Sequence, residues 1–264
     1  MSPAVRRLLG YLGAAFILLL GWQLAALALD TPALPEPLLA FAAFAEFAPI
    51  LLPHALLSLA RVVAALALGT ALAVPAGLAI GRSRKADALF APLIFLTYPV
   101  PKIVFLPILL ILLGLGNASK ITLIAIIIFF QVLVTARDAA RGVPESAVLS
   151  VRSLGATRFE IVRHVVFPAA LPEIFTALRI GMGTAVAVLF FSETIAGTDG
   201  LGWFIVDAWG LINYPRMFAG ILAIAFLGLW SVEAVLIAVL IGTAAGALFF
   251  LLLIPREAII PRRS

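Results

Sequence analysis

Few residues in this 264-residue chain have side chains that can do more than pack. There is no cysteine, so disulfides and thiolate metal ligands are excluded. The two histidines, His54 and His164, argue against a histidine-rich metal site or histidine-based catalysis. No paired carboxylates and no Ser/His/Asp set fall at one depth. What remains are charges in apolar surroundings, each a candidate site because charge inside a membrane is costly. Lys102 follows Tyr98-Pro99-Val100-Pro101. Prolines free backbone carbonyls and break a helix where it lines a cavity. A lysine there attracts an anionic substrate, or else it pairs with a helix carbonyl or reaches an interface. Glu193 reads as a gate residue or a loop anchor. Gln131, Thr135, Thr184 and Ser192 are candidates to line a pathway, against the simpler reading that they bond their own helix or a neighbour. Arg61 and Arg179, near span ends, read as snorkelling side chains, and His54 as an interfacial residue.

The elements that position these residues follow from composition. Apolar residues are 64% of the chain and charged residues 12%, against about 45–50% and about 25% in soluble domains. Mean hydropathy is +1.21. A globule of this size has too little polar surface to cover that core, and disorder is excluded by the same figures. The chain reads as an all-α polytopic membrane protein with room for about six spans of ~20 residues. Net charge is +5, and the basic residues read as topology signals rather than as a nucleic-acid surface.

Apolar runs predict spans over 8–29, 54–81, 88–113 (interrupted at 98–101), 121–136 and 174–196. A final run, 217–254, holds one charge, Glu233. The first run, with Ala26-Leu27-Ala28, exceeds a signal peptide's apolar region of ~7–15 residues and reads as a retained helix. The segment 30–53 has no Lys or Arg and reads as an external loop holding a short interfacial helix over 38–47. The final run exceeds one ~30 Å crossing; it is two spans, or one span and a segment along the membrane. Arginines 6, 7, 82, 84, 137, 141, 152, 158, 163, 256, 262 and 263 with Lys85 share one side if six crossings separate the termini. Lys120 and Arg216 fall on the other. The positive-inside rule then places both termini and the loop 137–173 in the cytoplasm.

That loop is patterned. Val148, Val151 and Leu154 recur at helical spacing, as do Phe159, Val162 and Val166 after Gly155. The spacing predicts two short amphipathic helices joined at a glycine, with Pro168 and Pro172 closing the loop before the next span. Such a unit lies on lipid or docks in a groove of a soluble partner.

Gly155, then nine residues from Ala156 to His164, then Val165-Val166-Phe167-Pro168, resembles the glycine-to-proline half of the cytoplasmic signature of permease subunits of ATP-binding-cassette importers. The Glu-Ala-Ala half is replaced by Leu149-Ser150-Val151, with Glu145 one turn earlier. Tyr98-Pro99-Val100-Pro101-Lys102-Ile103, Leu106-Pro107, Gly114-Leu115-Gly116, Ser119-Lys120-Ile121 and Ser192-Glu193-Thr194 resemble the nitrate/sulfonate/taurine/bicarbonate branch. The resemblance runs from about Ser58 to Phe226. It implies a type I importer permease fold with six core helices plus an extra hydrophobic C-terminal segment. The division implied is 1–53, a helix and external loop; 54–233, the core; and 234–264, the extra segment and basic tail.

The resemblance also implies partners and roles. Two ATPase subunits would bind the coupling loop through Glu145, Val151, Leu154, Gly155, Ala156, Phe159, Val165, Pro168 and Pro172. A second permease copy would complete the pathway, with Tyr98, Pro99, Pro101, Lys102, Gln131, Thr184, Ser192 and Glu193 as its candidate lining. A periplasmic or lipid-anchored binding protein would deliver the solute across a bacterial inner membrane. No Gly-x-x-x-x-Gly-Lys-[Ser/Thr] loop occurs in the sequence. No cofactor is therefore expected on this chain, ATP and magnesium being used by the ATPase. The branch points to a small anion such as nitrate, a sulfonate or bicarbonate; a pyrimidine or vitamin precursor is the alternative solute. An ion-coupled secondary transporter is the alternative class, which would need repeats and buried acids.

Overall fold

The computed structural model describes residues 3–229. Among them the chain is helical throughout, with no strand. Helix α1 is Pro3–Leu29 and α2 is Pro37–Arg82. The next span is broken: α3, Arg84–Thr97, and a 3-10 turn, Lys102–Phe105, leading into α4, Leu106–Leu113, meet at 82°. Helix α5 is Asn117–Gly142, α6 is Glu145–Ser153 and α7 is Arg158–Ile161. A π turn, Val162–Val166, joins α7 to α8, Phe167–Ala196. Helices α9, Leu201–Gly210, and α10, Tyr214–Leu229, follow. Four described helices are long and apolar enough to cross a membrane, and the bent pair makes a fifth. Beyond Leu229 the final run lies outside the described residues.

The chain forms two compact units. One comprises residues 58–197, with 228 and 229. Its core is built by α5 and α8, where Leu123, Ile124, Ile128 and Val132 share a buried cluster with Ile174, Leu178, Ala185 and Leu189. Helix α2 packs on α5 through small residues four apart, Gly69, Ala73, Gly77 and Gly81, which fall on one helix face. A Cβ on Gly77 would sit 2.8 Å from the Leu133 carbonyl oxygen, and one on Gly81 would strike the Arg137 carbonyl. In a membrane, where lipid tails are as apolar as leucine, such close backbone approach is what drives helix association.

The other unit comprises residues up to 57 with 198–227. Trp22 donates to the Pro35 carbonyl at 3.0 Å and stacks on Phe218 at 5.6 Å. His54 Nδ1 accepts the Gly200 N–H at 3.1 Å, and its ring lies 5.3 Å from Trp203. Arg216 pairs with Asp207 at 2.9 Å.

Two sequence expectations change. Residues 38–47 are not a separate interfacial helix: α2 runs unbroken through Pro49 and Pro53. Each proline forfeits only one intrahelical bond, which apolar packing tolerates. For the same reason Pro168 and Pro172 do not close a loop. Pro168 stands in the first turn of α8 and Pro172 inside it.

Candidate functional site

The turn between α6 and α7 is built by backbone hydrogen bonds that only a few residue types permit. Helix α6 ends as the Gly155 N–H bonds the Arg152 carbonyl at 3.0 Å and the Ala156 N–H bonds the Val151 carbonyl at 3.4 Å. This is a Schellman end, and its penultimate residue must be left-handed. Gly155 has φ +86°, a conformation an L side chain enters at a cost of roughly 1–2 kcal/mol. No atom lies within 4 Å of where its Cβ would be, so the glycine is required by conformation and not by crowding. Half-buried Val151 and Ala156 flank the turn. Helix α7 starts at once with a reciprocal cap. Thr157 Oγ1 accepts the Glu160 N–H at 3.3 Å, and Glu160 Oε2 accepts the Thr157 N–H at 2.7 Å.

These bonds divide the loop's apolar residues. Val148, Ile161 and Val166 belong to the same buried core as α5 and α8. Phe159 and Val165 are half-buried, while Glu145 and Pro168 are exposed. Leu154 is 86% exposed and Leu149 52% exposed. The outward apolar pair is therefore Leu149 and Leu154. Leu149 falls outside the Val148/Val151/Leu154 spacing that predicts this face.

The pathway candidates separate by environment. At the break, Lys102 Nζ donates to the carbonyls of Tyr98 at 2.5 Å and Thr97 at 3.1 Å. It lies 5.1 Å from the Tyr98 ring centre and 4.8 Å from that of Phe130. Lys102 thus bonds the last carbonyls of α3, of which that of Thr97 also accepts the Val100 N–H at 3.2 Å, and Tyr98, Pro99 and Pro101 are exposed beside it. Gln131 follows Phe130 on α5 and is half-buried; Thr184 is exposed on α8. Ser192 Oγ bonds its own helix at the Leu189 carbonyl, 2.8 Å, and Thr135 Oγ1 does likewise at Gln131, 3.1 Å.

Glu193 belongs to a second, buried cluster. It accepts from Arg61 Nη1 at 2.7 Å and from Ser58 Oγ at 2.8 Å, and Arg61 Nε donates to Asn117 Oδ1 at 2.8 Å. Arg61 is 2% exposed and Glu193 fully buried, so Arg61 does not snorkel. Lys120, expected in an external loop, is also buried, in the first turn of α5. Nothing in a single span's composition signals this convergence of α2, α5 and α8.

Apolar helices long enough to cross a membrane, one of them broken beside a lysine, with a two-helix loop between α5 and α8, define a polytopic membrane protein. The chain belongs to the family of binding-protein-dependent transport system inner membrane components, whose model matches residues 69–258. It is 36% identical over 221 residues to the taurine transport system permease protein TauC of Escherichia coli (strain K12), covering 81% of this chain and 80% of that one. It is 29% identical over 197 residues to a putative aliphatic sulfonates transport permease of Bacillus subtilis (strain 168), covering 74% and 71%. Over 240 residues it is 29% identical to a riboflavin transport system permease of Chloroflexus aurantiacus, covering 87% and 90%. A solved structure of the MetNI methionine transporter shares the fold at 23% identity, with TM-score 0.55 over 72% of this chain and 98% of that chain. The chain is thus a multi-pass inner-membrane permease of an ATP-binding-cassette importer, working with ATPase and binding-protein partners. The ion-coupled alternative gives way to this membership.

Proposed function

We propose that this permease carries a small sulfonate-type anion, taurine-like in size, through a pathway it completes with a second copy of itself. Its N-terminus and the loop between α5 and α8 face the cytoplasm. Two ATPase subunits, which hold the ATP and magnesium, dock on that loop. The Gly155 turn carries the reading: it makes two helices into one stiff wedge and leaves Leu154 in the open. Burying Leu149 and Leu154 in a partner groove is worth roughly 1.5–3 kcal/mol each before ordering costs. Glu145, Val151, Ala156, Phe159, Val165, Pro168 and Pro172 shape the wedge. Tyr98, Pro99, Pro101, Lys102, Gln131, Thr184, Ser192 and Glu193 line or brace the pathway.

The anionic solute draws support from the taurine and aliphatic-sulfonate relatives and from a lysine held at a helix break. A second reading, a vitamin or vitamin precursor, draws support from the riboflavin relative. Reconstitution with the cognate ATPase and binding protein separates them. Taurine should stimulate ATP hydrolysis and enter the vesicles, and riboflavin should do neither; the reverse result would overturn the sulfonate reading. Orientation is tested in the cysteine-free chain. Cysteines at Ser83→Cys and Ser153→Cys should react with an impermeant reagent only from the cytoplasmic side, and Thr198→Cys only from outside. Ser264→Cys would place the C-terminus, which the described residues do not reach.

A further inference from the structure

Asp87 stands in the first turn of α3, and α5 claims both its carboxylate oxygens. Arg137 Nε donates to Oδ1 at 2.5 Å and Arg141 Nη1 to Oδ2 at 3.3 Å. The two arginines are four residues apart and so share one face of α5. Arg137 is only 5% exposed, and its guanidinium also lies 5.6 Å from the ring centre of Phe95, two turns further along α3. One arginine therefore grips α3 at two points. The neighbouring contacts repeat the attachment: Arg82 Nη1 donates to the Ala140 carbonyl at 3.4 Å, and Gly81 packs on the Arg137 backbone.

Both ends of this joint lead somewhere. Helix α5 ends at Gly142, and only Val143 and Pro144 separate it from α6. Val143 and Val148 sit in the same core as the body of α5, so α6 has no slack with which to move alone. Helix α3 is 14 residues long and ends at the 82° break that Lys102 caps. Charge-assisted bonds to both oxygens of a carboxylate fix direction as well as distance, which a greasy contact between the same helices would not.

We propose that Asp87 is a positioning residue: through Arg137 and Arg141 it makes α3 follow the coupling loop, so that movement at α6 reaches the break at 98–101. The proposal rests on the reading of the loop as the ATPase-docking element, and goes beyond it by naming the joint that connects docking to the broken span.

The test uses the assembled permease–ATPase complex in proteoliposomes, with Val100→Cys as a reporter at the break. Trapping with ATP and vanadate should change the labelling rate of that cysteine about fivefold or more, the range of typical inter-site coupling. Asp87→Asn should abolish this change while the ATPase stays bound and hydrolyses ATP, and Asp87→Glu should restore it. Arg137→Gln combined with Asp87→Asn should cost less than the sum of the two, since they share the Asp87–Arg137 bond, although Arg137 also meets Phe95 and pairs with Asp138. A full nucleotide-dependent change in the Asp87→Asn complex would overturn the proposal. So would no change in the parent complex, even with ATPase bound. Loss of the ATPase from Asp87→Asn would assign Asp87 to assembly instead, and loss of the ATPase from the parent would overturn the docking reading itself.

Discussion

The Gly155 turn and the Glu193 cluster are opposite solutions to the same requirement, holding functional residues still. The turn is exposed and local: its bonds span three to five residues, from Val151 to Glu160. The cluster is buried and long-range, joining Ser58, Arg61, Asn117 and Glu193 across 132 residues between the charged partners. A local turn is changed without unfolding anything, so it suits a surface that must meet a partner. A buried ion pair repays its desolvation only with its geometry complete, so it suits a fixed point between helices.

The contrast predicts which variants damage the fold and which damage only the work. Glu193→Ala strips the carboxylate from buried Arg61 and should cost about 3–5 kcal/mol, read as a large loss of folded permease or of its thermal unfolding temperature in detergent. A stable Glu193→Ala protein would show that the cluster braces nothing. Gly155→Arg adds bulk and charge at the proposed docking turn while leaving the core alone. The permease should insert and remain folded yet lose its ATPase, or hydrolyse without transporting. Wild-type transport by Gly155→Arg would favour a loop that lies on lipid. Lys102→Met should reduce uptake roughly ten- to a hundredfold, matching the ~1.5–3 kcal/mol of a hydrogen bond to a charged group, with assembly and basal hydrolysis preserved. Unchanged uptake kinetics would remove Lys102 from the pathway. Thr157→Ala removes one half of the reciprocal cap at an exposed helix start and should lower transport by less than about fivefold, measured as uptake per folded complex.

The same contrast explains what the sequence makes legible. Gly155 is a local signal, as are the prolines that break the span at 98–101, because backbone chemistry within a few residues decides them. The spans α1, α5 and α8 are legible as apolar runs. The continuity of α2 through Pro49 and Pro53 is not, since tertiary packing overrides the local preference against proline. The burial of Arg61 and Lys120 is not legible either. It depends on how three helices are rotated about their axes, which no single span's composition encodes.

The most direct measurement is at Leu154, in a chain with no other cysteine. Leu154→Cys in inside-out vesicles should react readily with an impermeant thiol reagent when the permease is alone, as its 86% exposure requires. Binding of the ATPase should protect it, and a cysteine placed in the ATPase groove should cross-link to it. Equal reactivity with and without bound ATPase would contradict the account of the Gly155 turn as the docking wedge.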